Sequence, residues 1–227
     1  FLIGGSRPIA RLRRVNRALR GSYNERASWI SNSLVRWDTE NLDGHGIARA
    51  AISESSTHLI EGFFRLIFWY LLLGLPAVIL CRVVGAVADV IGRNSLQHLD
   101  LGFALRRLDD VLSLPAVIIA GPVLFCAAIF IPQASPIKAF SGWLRDLGTR
   151  GIRSDFRGEG AIAGAFGIAL GGPQEFGEET VPRDWIGEGR ARVMRADVHR
   201  SCWLLGLSVL LVMAAIAGMI IFLKQSS

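Results

Sequence analysis

From Cys202 to Leu223 the chain runs for 22 residues without a charge, and Lys224 stops the run. At a rise of 1.5 Å per residue such a helix covers about 30 Å, the hydrocarbon thickness of a bilayer. Val111–Pro132 is a second uncharged stretch and carries Pro115 and Pro122. A third, Phe63–Val84, has Arg65 and Arg82 near its ends and Gly74-Leu75-Pro76 within it. It reads either as a full span or as a re-entrant or kinked helix. Phe1–Gly5 (FLIGG) reads as the end of a further span, with upstream sequence expected because the sequence opens without Met. A chain that is 51% apolar with a mean hydropathy of +0.40 is neither disordered nor an ordinary soluble domain. The expectation is an all-α, polytopic helical membrane protein with three or four spans and a helical cytoplasmic portion.

The charge distribution orients it. Arg and Lys total 25 against 19 acids, a net +6, and only Lys138 and Lys224 are lysines. Residues 1–62 hold nine Arg and residues 133–201 hold ten Arg plus Lys, whereas the connection 85–110 holds three and the tail one. Basic residues collect on the cytoplasmic side, so both rich segments are expected there. The resulting organisation is a basic cytoplasmic helical segment (1–62), a membrane region with two spans (63–132) around the connection 85–110, a cytoplasmic helix/loop segment (133–201) and a C-terminal transmembrane helix (202–227). A basic excess can also mark nucleic-acid binding. No basic run here alternates with aromatics, and the expected partners are the lipid bilayer and other membrane subunits, with no nucleic acid. Cys81, Cys126 and Cys202 show no CxxC spacing and read as small buried hydrophobes.

Between the spans the pattern is helical. Residues 7–36 read as a basic amphipathic helix with Ile9, Leu12, Val15 and Leu19 on one stripe, lying on headgroups or packed on its own domain. Residues 46–61 form another helix. Ala161–Leu170 is a small-residue helix, stopped by Gly171-Gly172-Pro173, too short to span and suited to close packing. Residues 174–189 read as a loop. There is no GxxxxGK[ST], no HExxH and no Cys/His cluster with metal spacing. None of His45, His58, His98 and His199 lies inside a span. His58 and His199 fall before two spans on one expected face, where an edge site is the minor reading. Three polar constellations remain: Asp38-Thr39 with Asp43; Arg106-Arg107-Leu108-Asp109-Asp110; and Ser154, Asp155, Arg157 and Glu159. Asp109 and Asp110 suit a Mg²⁺ ion or a helix N-cap, and spacing favours the cap. For the third group a solvated loop with a helix-start carboxylate is favoured.

Several stretches together resemble the adenosylcobinamide-phosphate synthase family of cobalamin biosynthesis, inner-membrane proteins of bacteria. They are IARAAI (47–52), FWYLLLGLP (68–76), RRLDD (106–110), AGAFGIALGGP (163–173) and WIGEGRARV (185–193), in order over most of residues 25–205. The resemblance implies an all-helical membrane protein with its polar motifs on one side. Members form an amide between adenosylcobyric acid and aminopropanol or its phosphate, with ATP and Mg²⁺.

The family's polar motifs are incomplete here. Against ES-x-AEN-xx-DG stand Ser53, Glu54, Ser56, Thr57, His58, Glu61 and Gly62, so the paired Glu and Asn are Thr57 and His58 and the first Glu is Ser53. The GRDT motif is Arg36-Trp37-Asp38-Thr39. NTADSMIG is Gly85–Gly92, without the Asn, the Thr or the aligned Asp. The Asn and Arg of N-x-x-P-A-R-L are Ser113 and Val117, and the NAG Asn is Ser154 while Glu159 is kept. Carboxylates, amides and guanidinium groups have become small or apolar. Losing one group that stabilises developing charge costs about 10²–10³ in rate, so the joint loss points to a degenerate, non-catalytic member. Its expected role is a membrane scaffold or accessory subunit of a larger inner-membrane complex, an energy-transducing one among the candidates, with no cofactor. The alternative is an active enzyme in which Asp38, Asp109, Asp110 and Glu159 serve Mg²⁺–ATP and substrate, with Mg²⁺ at Asp109 and Asp110 and phosphate on Arg106 and Arg107. A corrinoid partner belongs to that alternative.

Overall fold

The computed structural model describes residues 6–19, 42–94, 99–150, 158–176, 179–181 and 183–226. Helix α1 (Ser6–Ala18) presents the expected stripe inward: Ile9, Leu12 and Val15 are buried against α2 (Gly44–Leu59) and the long C-terminal helix α8 (Arg195–Ser226). The stripe therefore packs on the protein's own core, which decides between the two expected placements of this helix. Residues 20–36 lie outside the described residues.

Asp43 caps α2 by accepting from Gly46 N at 2.7 Å, as short acceptor side chains do at helix starts. α2 passes through one π-turn, Ile60–Phe64, into α3 (Arg65–Leu73). The apolar stretch 63–84 is not one continuous span. It breaks at Gly74 (φ 75°, ψ −159°), a conformation open essentially to glycine alone. Helix α4 (Leu75–Asn94) then begins, with Pro76 in its first turn, where a missing N–H costs nothing. Leu66 of α3 packs with Val78 and Cys81 of α4, so the two helices fold back on each other.

Helix α5 (Leu99–Ile129) contains both Pro115 and Pro122 and takes up much of the expected connection 85–110. Helix α6 (Pro136–Arg150) crosses it with Trp143 over Gly121, the indole N–H donating to Val117 O at 3.0 Å. Helix α7 (Glu159–Phe166) lies on α6 at backbone contact, since a Cβ on Gly164 would stand 2.0 Å from Lys138 O and one on Gly142 2.3 Å from Gly160 O. The close packing expected of the small-residue helix is thus present, but the helix ends at Phe166, with Gly167 as cap, rather than at Leu170. The expected loop 174–189 contains short strands. β1 (Leu170–Gly171) pairs antiparallel with β4 (Trp185–Ile186), and β2 (Gln174–Phe176) with β3 (Glu179–Val181). Two- and three-residue strands carry no periodicity that a sequence pattern can register.

Among the described residues two helices are long and apolar enough to cross a membrane: Arg107–Ile129 within α5, and α8. Leu75–Ala88 is a shorter apolar helix. The core joins α1, α2, α5, α6, α7 and the first half of α8, where Leu204, Leu205 and Ser208 are buried. Beyond Ser208 the helix is largely exposed and apolar, with Leu210, Met213, Ile220, Ile221 and Phe222 outward. Cys81 and Cys202 are buried as expected; Cys126 is exposed on α5.

Candidate functional site

Polar groups gather in three knots. The first surrounds Glu159, the opening residue of α7, which is fully buried (0%) rather than in a solvated loop. Its Oε1 accepts from Arg183 Nη2 at 2.9 Å and from Thr57 Oγ1 at 3.3 Å. Arg183 Nη1 also reaches Ser53 Oγ at 3.5 Å. The start of α7 is held from α6, where buried Asp146 accepts from Gly160 N at 3.3 Å. On α2, next in sequence to Ser53 and Thr57, Glu54 and His58 lie one turn apart, with His58 Nε2 3.4 Å from Glu54 Oε1. Ser53, Glu54, Ser55, Ser56 and Thr57 are all buried, so this stretch is enclosed by protein on every side. Glu159 Oε2 is buried with no hydrogen-bond partner among the described residues.

The second knot ties α3 and α4, away from their turn, to α5. Arg65, 5% exposed, donates from Nη1 to Asp109 Oδ1 at 2.6 Å and to Ser113 Oγ at 3.0 Å. Gly85 of α4 lies against it, for a Cβ there would stand 3.0 Å from Arg65 Nη2 and 3.4 Å from Asp109 Oδ1. Trp69 Nε1 donates to Leu112 O at 2.8 Å beside it. Helix α5 begins at Leu99, so Asp109 and Asp110 sit in its interior and not at a helix start, contrary to the favoured cap. Consecutive helical residues point about 100° apart. Arg107 is exposed on the same helix, which also carries Arg106.

The third knot fastens the start of α8. Asp197, fully buried, accepts two bonds from Arg190 Nη2, both at 2.8 Å, and caps the helix through Met194 N at 2.8 Å. His45 Nδ1 lies 2.8 Å from Val193 O and must donate to it, which leaves Nε2 to accept from Arg192 at 3.2 Å. Arg49 stacks its guanidinium 4.7 Å over the Trp185 ring. Burial lowers the pKa of Arg49 from its ordinary value, against the opposing charge of Asp43.

Of the residues singled out from sequence, the structure brings Glu159 to Ser53, Thr57 and Arg183, and Asp109 to Arg65, Ser113 and Gly85. Asp38 and Ser154, Asp155 and Arg157 lie outside the described residues. His58 and His199 engage different partners, Glu54 and Trp203. Among the described residues no three of His, Cys, Asp and Glu are placed to hold a metal ion. Sequence reasoning missed Arg65 as a site residue, although an arginine within an apolar stretch is itself a signal. It also missed Arg183 and the Arg190–Asp197 clamp, for which no local signal exists.

Ser53, Thr57, Gly85, Asp109, Ser113 and Glu159, which meet in the first two knots, are positions of the motifs compared above, and a CobD/Cbib protein family profile matches residues 1–205. The chain belongs to the CobD/Cbib family. Relatives named cobalamin biosynthesis protein CobD include one from Yersinia enterocolitica, 31% identical over 195 residues, covering 85% of this chain and 59% of that protein. One from a Sinorhizobium species is 31% identical over 189 residues, covering 82% and 58%, and one from Mycobacterium tuberculosis is 30% identical over 200 residues, covering 88% and 63%. The chain spans about three-fifths of the length of these CobD relatives. No solved structure matches it.

Proposed function

We propose that this chain is a degenerate CobD-family member that has lost amide synthesis and serves as a membrane-embedded scaffold or accessory subunit. The observation that carries the reading is that arginines already hold the carboxylates that Mg²⁺–ATP chemistry would need. Arg65 takes Asp109 and Arg183 takes Glu159, while the surrounding motif positions are Ser53, Thr57, Gly85 and Ser113. A guanidinium bonded to a carboxylate competes directly with a cation for the same lone pairs. Asp109 and Asp110 do not fit a shared Mg²⁺, since they diverge around a helix and Asp109 is held by Arg65, and no catalytic step is derived through that ion. What remains is a protein whose buried polar groups lock α2, α3, α5, α7 and the β4 approach together.

The apolar exterior of α8 beyond Ser208, and of α5 at Val111, Ile118, Ile119 and Ile129, supports residence in a bilayer. We place it in the bacterial inner membrane, with the basic 1–62 and 133–201 segments facing the cytoplasm. Purification from native membranes in mild detergent tests the accessory role. A stoichiometric membrane partner is expected, and a protein that stays alone at every detergent concentration contradicts it.

One observation favours the second reading, a working enzyme. Glu159 Oε2 is buried with no hydrogen-bond partner among the described residues, and Arg183 stands beside it, an arrangement that a substrate donor would complete. In that case Asp109→Asn with Asp110→Asn abolishes amide formation.

A further inference from the structure

The turn at Gly74 joins the nine-residue α3 to the twenty-residue α4. Leu66, eight residues before Gly74, packs with Val78 and with Cys81, seven after it, and Arg65, nine before, meets Gly85, eleven after, so the chain after Gly74 runs back along the chain before it. The arms are antiparallel. The outward side chains at the tip are large and apolar: Tyr70, Leu71, Leu72, Leu73, Leu75 and Ile79 are each half or more exposed, Leu73 reaching 62%. Each arm then meets a charge at the same distance. Arg65 lies nine residues before Gly74 and Arg82 eight after it, about 12–14 Å along a helix. That is less than half of a hydrocarbon core of about 30 Å.

We propose that α3 and α4 form a re-entrant hairpin that enters the bilayer tip-first and returns to the face it came from. The inference rests on the membrane residence proposed above and goes beyond it. Its occupant is lipid hydrocarbon, for three reasons. The tip continues the kind of exposed apolar surface found on α5 and α8. Arg82, exposed on α4, keeps its head at the water boundary when the tip is buried to the depth of one leaflet. Arg65 at the same level is neutralised by Asp109. Backbone demands at the tip are small, because Gly74 N donates to Tyr70 O at 2.9 Å and Pro76 has no N–H to satisfy. A single crossing is excluded by the antiparallel contacts. A double crossing would put the leucines of the tip in water and both arginines in hydrocarbon.

The test uses single cysteines at Glu61, Ala86 and Leu73, in a background with Cys81, Cys126 and Cys202 changed to Ala, labelled by a membrane-impermeant maleimide in right-side-out and inverted vesicles. Flotation of the vesicles first shows whether the chain is membrane-bound at all, which separates failure of the residence from failure of the hairpin. The hairpin predicts that Glu61→Cys and Ala86→Cys label from one and the same face, and that Leu73→Cys labels from neither until detergent is added. Labelling of Glu61→Cys and Ala86→Cys from opposite faces overturns it, as does labelling of Leu73→Cys from either face. Should the cysteine-free background fail to fold, a Leu73→Trp variant read against Leu73→Ala gives the same answer. Brominated-lipid quenching that is at least twofold greater for the added Trp supports insertion, and equal quenching refutes it.

Discussion

Glu159 is fully buried and Arg183 mostly so, which makes each dependent on the other. Removing one partner strands a charge in a low-dielectric interior and costs about 3–5 kcal/mol, whereas replacing both with apolar groups of similar size is often neutral. Arg183→Met should therefore lower the melting temperature in detergent by several degrees, and Glu159→Leu combined with Arg183→Met should recover most of it. A single change that leaves thermal stability untouched contradicts the pairing. The Arg65–Asp109 pair is more accessible on its acidic side, so Asp109→Asn should cost less, about 1–3 kcal/mol, in the same assay. Sequence patterning singled out Glu159 and Asp109 but misjudged their surroundings. Arg183 is 24 residues from its partner and Thr57 is 102 away. Neither separation leaves a trace in local spacing, so a buried ion pair reads in sequence as a polar loop.

Helices were more legible, because their signals are local. The stripe of α1, the uncharged core of α8 and the Gly-Leu-Pro break each follow from spacing or from one residue's backbone preference, whereas Asp43, grouped by sequence with Asp38 and Thr39, turns out to cap α2. What spacing could not supply was which surface each helix meets. Helices α6 and α7 touch backbone to backbone through Gly142, Gly160 and Gly164. A valine at Gly164 would push its Cβ into Lys138 O, so Gly164→Val should destabilise by about 3 kcal/mol or more, read as a fall in melting temperature. At the α3–α4 turn Gly74→Ala places a Cβ on a backbone conformation that alanine avoids. It should cost about 1–3 kcal/mol without creating a clash, since only Pro76 comes within 4 Å. Equal stability of that variant would show that the turn is not held as described.

For the whole molecule the question is whether a family scaffold still carries the family's chemistry. The motif positions do converge in space, which linear comparison alone could not establish. They converge on arginine–carboxylate pairs and small side chains, with the fastened start of α8 holding α2 in place from the other side. The all-helical build was readable from hydropathy. The short strands and the folding of α4 back on α3 needed three-dimensional placement, because they depend on which segments meet. The most direct measurement is amide formation by the purified protein, supplied with adenosylcobyric acid, aminopropanol phosphate, ATP and Mg²⁺, beside an active family member. On the proposed loss of several charge-stabilising groups, at about 10²–10³ in rate each, turnover should fall below detection although the protein is folded. Turnover within about a hundredfold of the active relative would contradict the account and make Glu159 and Arg183 substrate-binding groups instead.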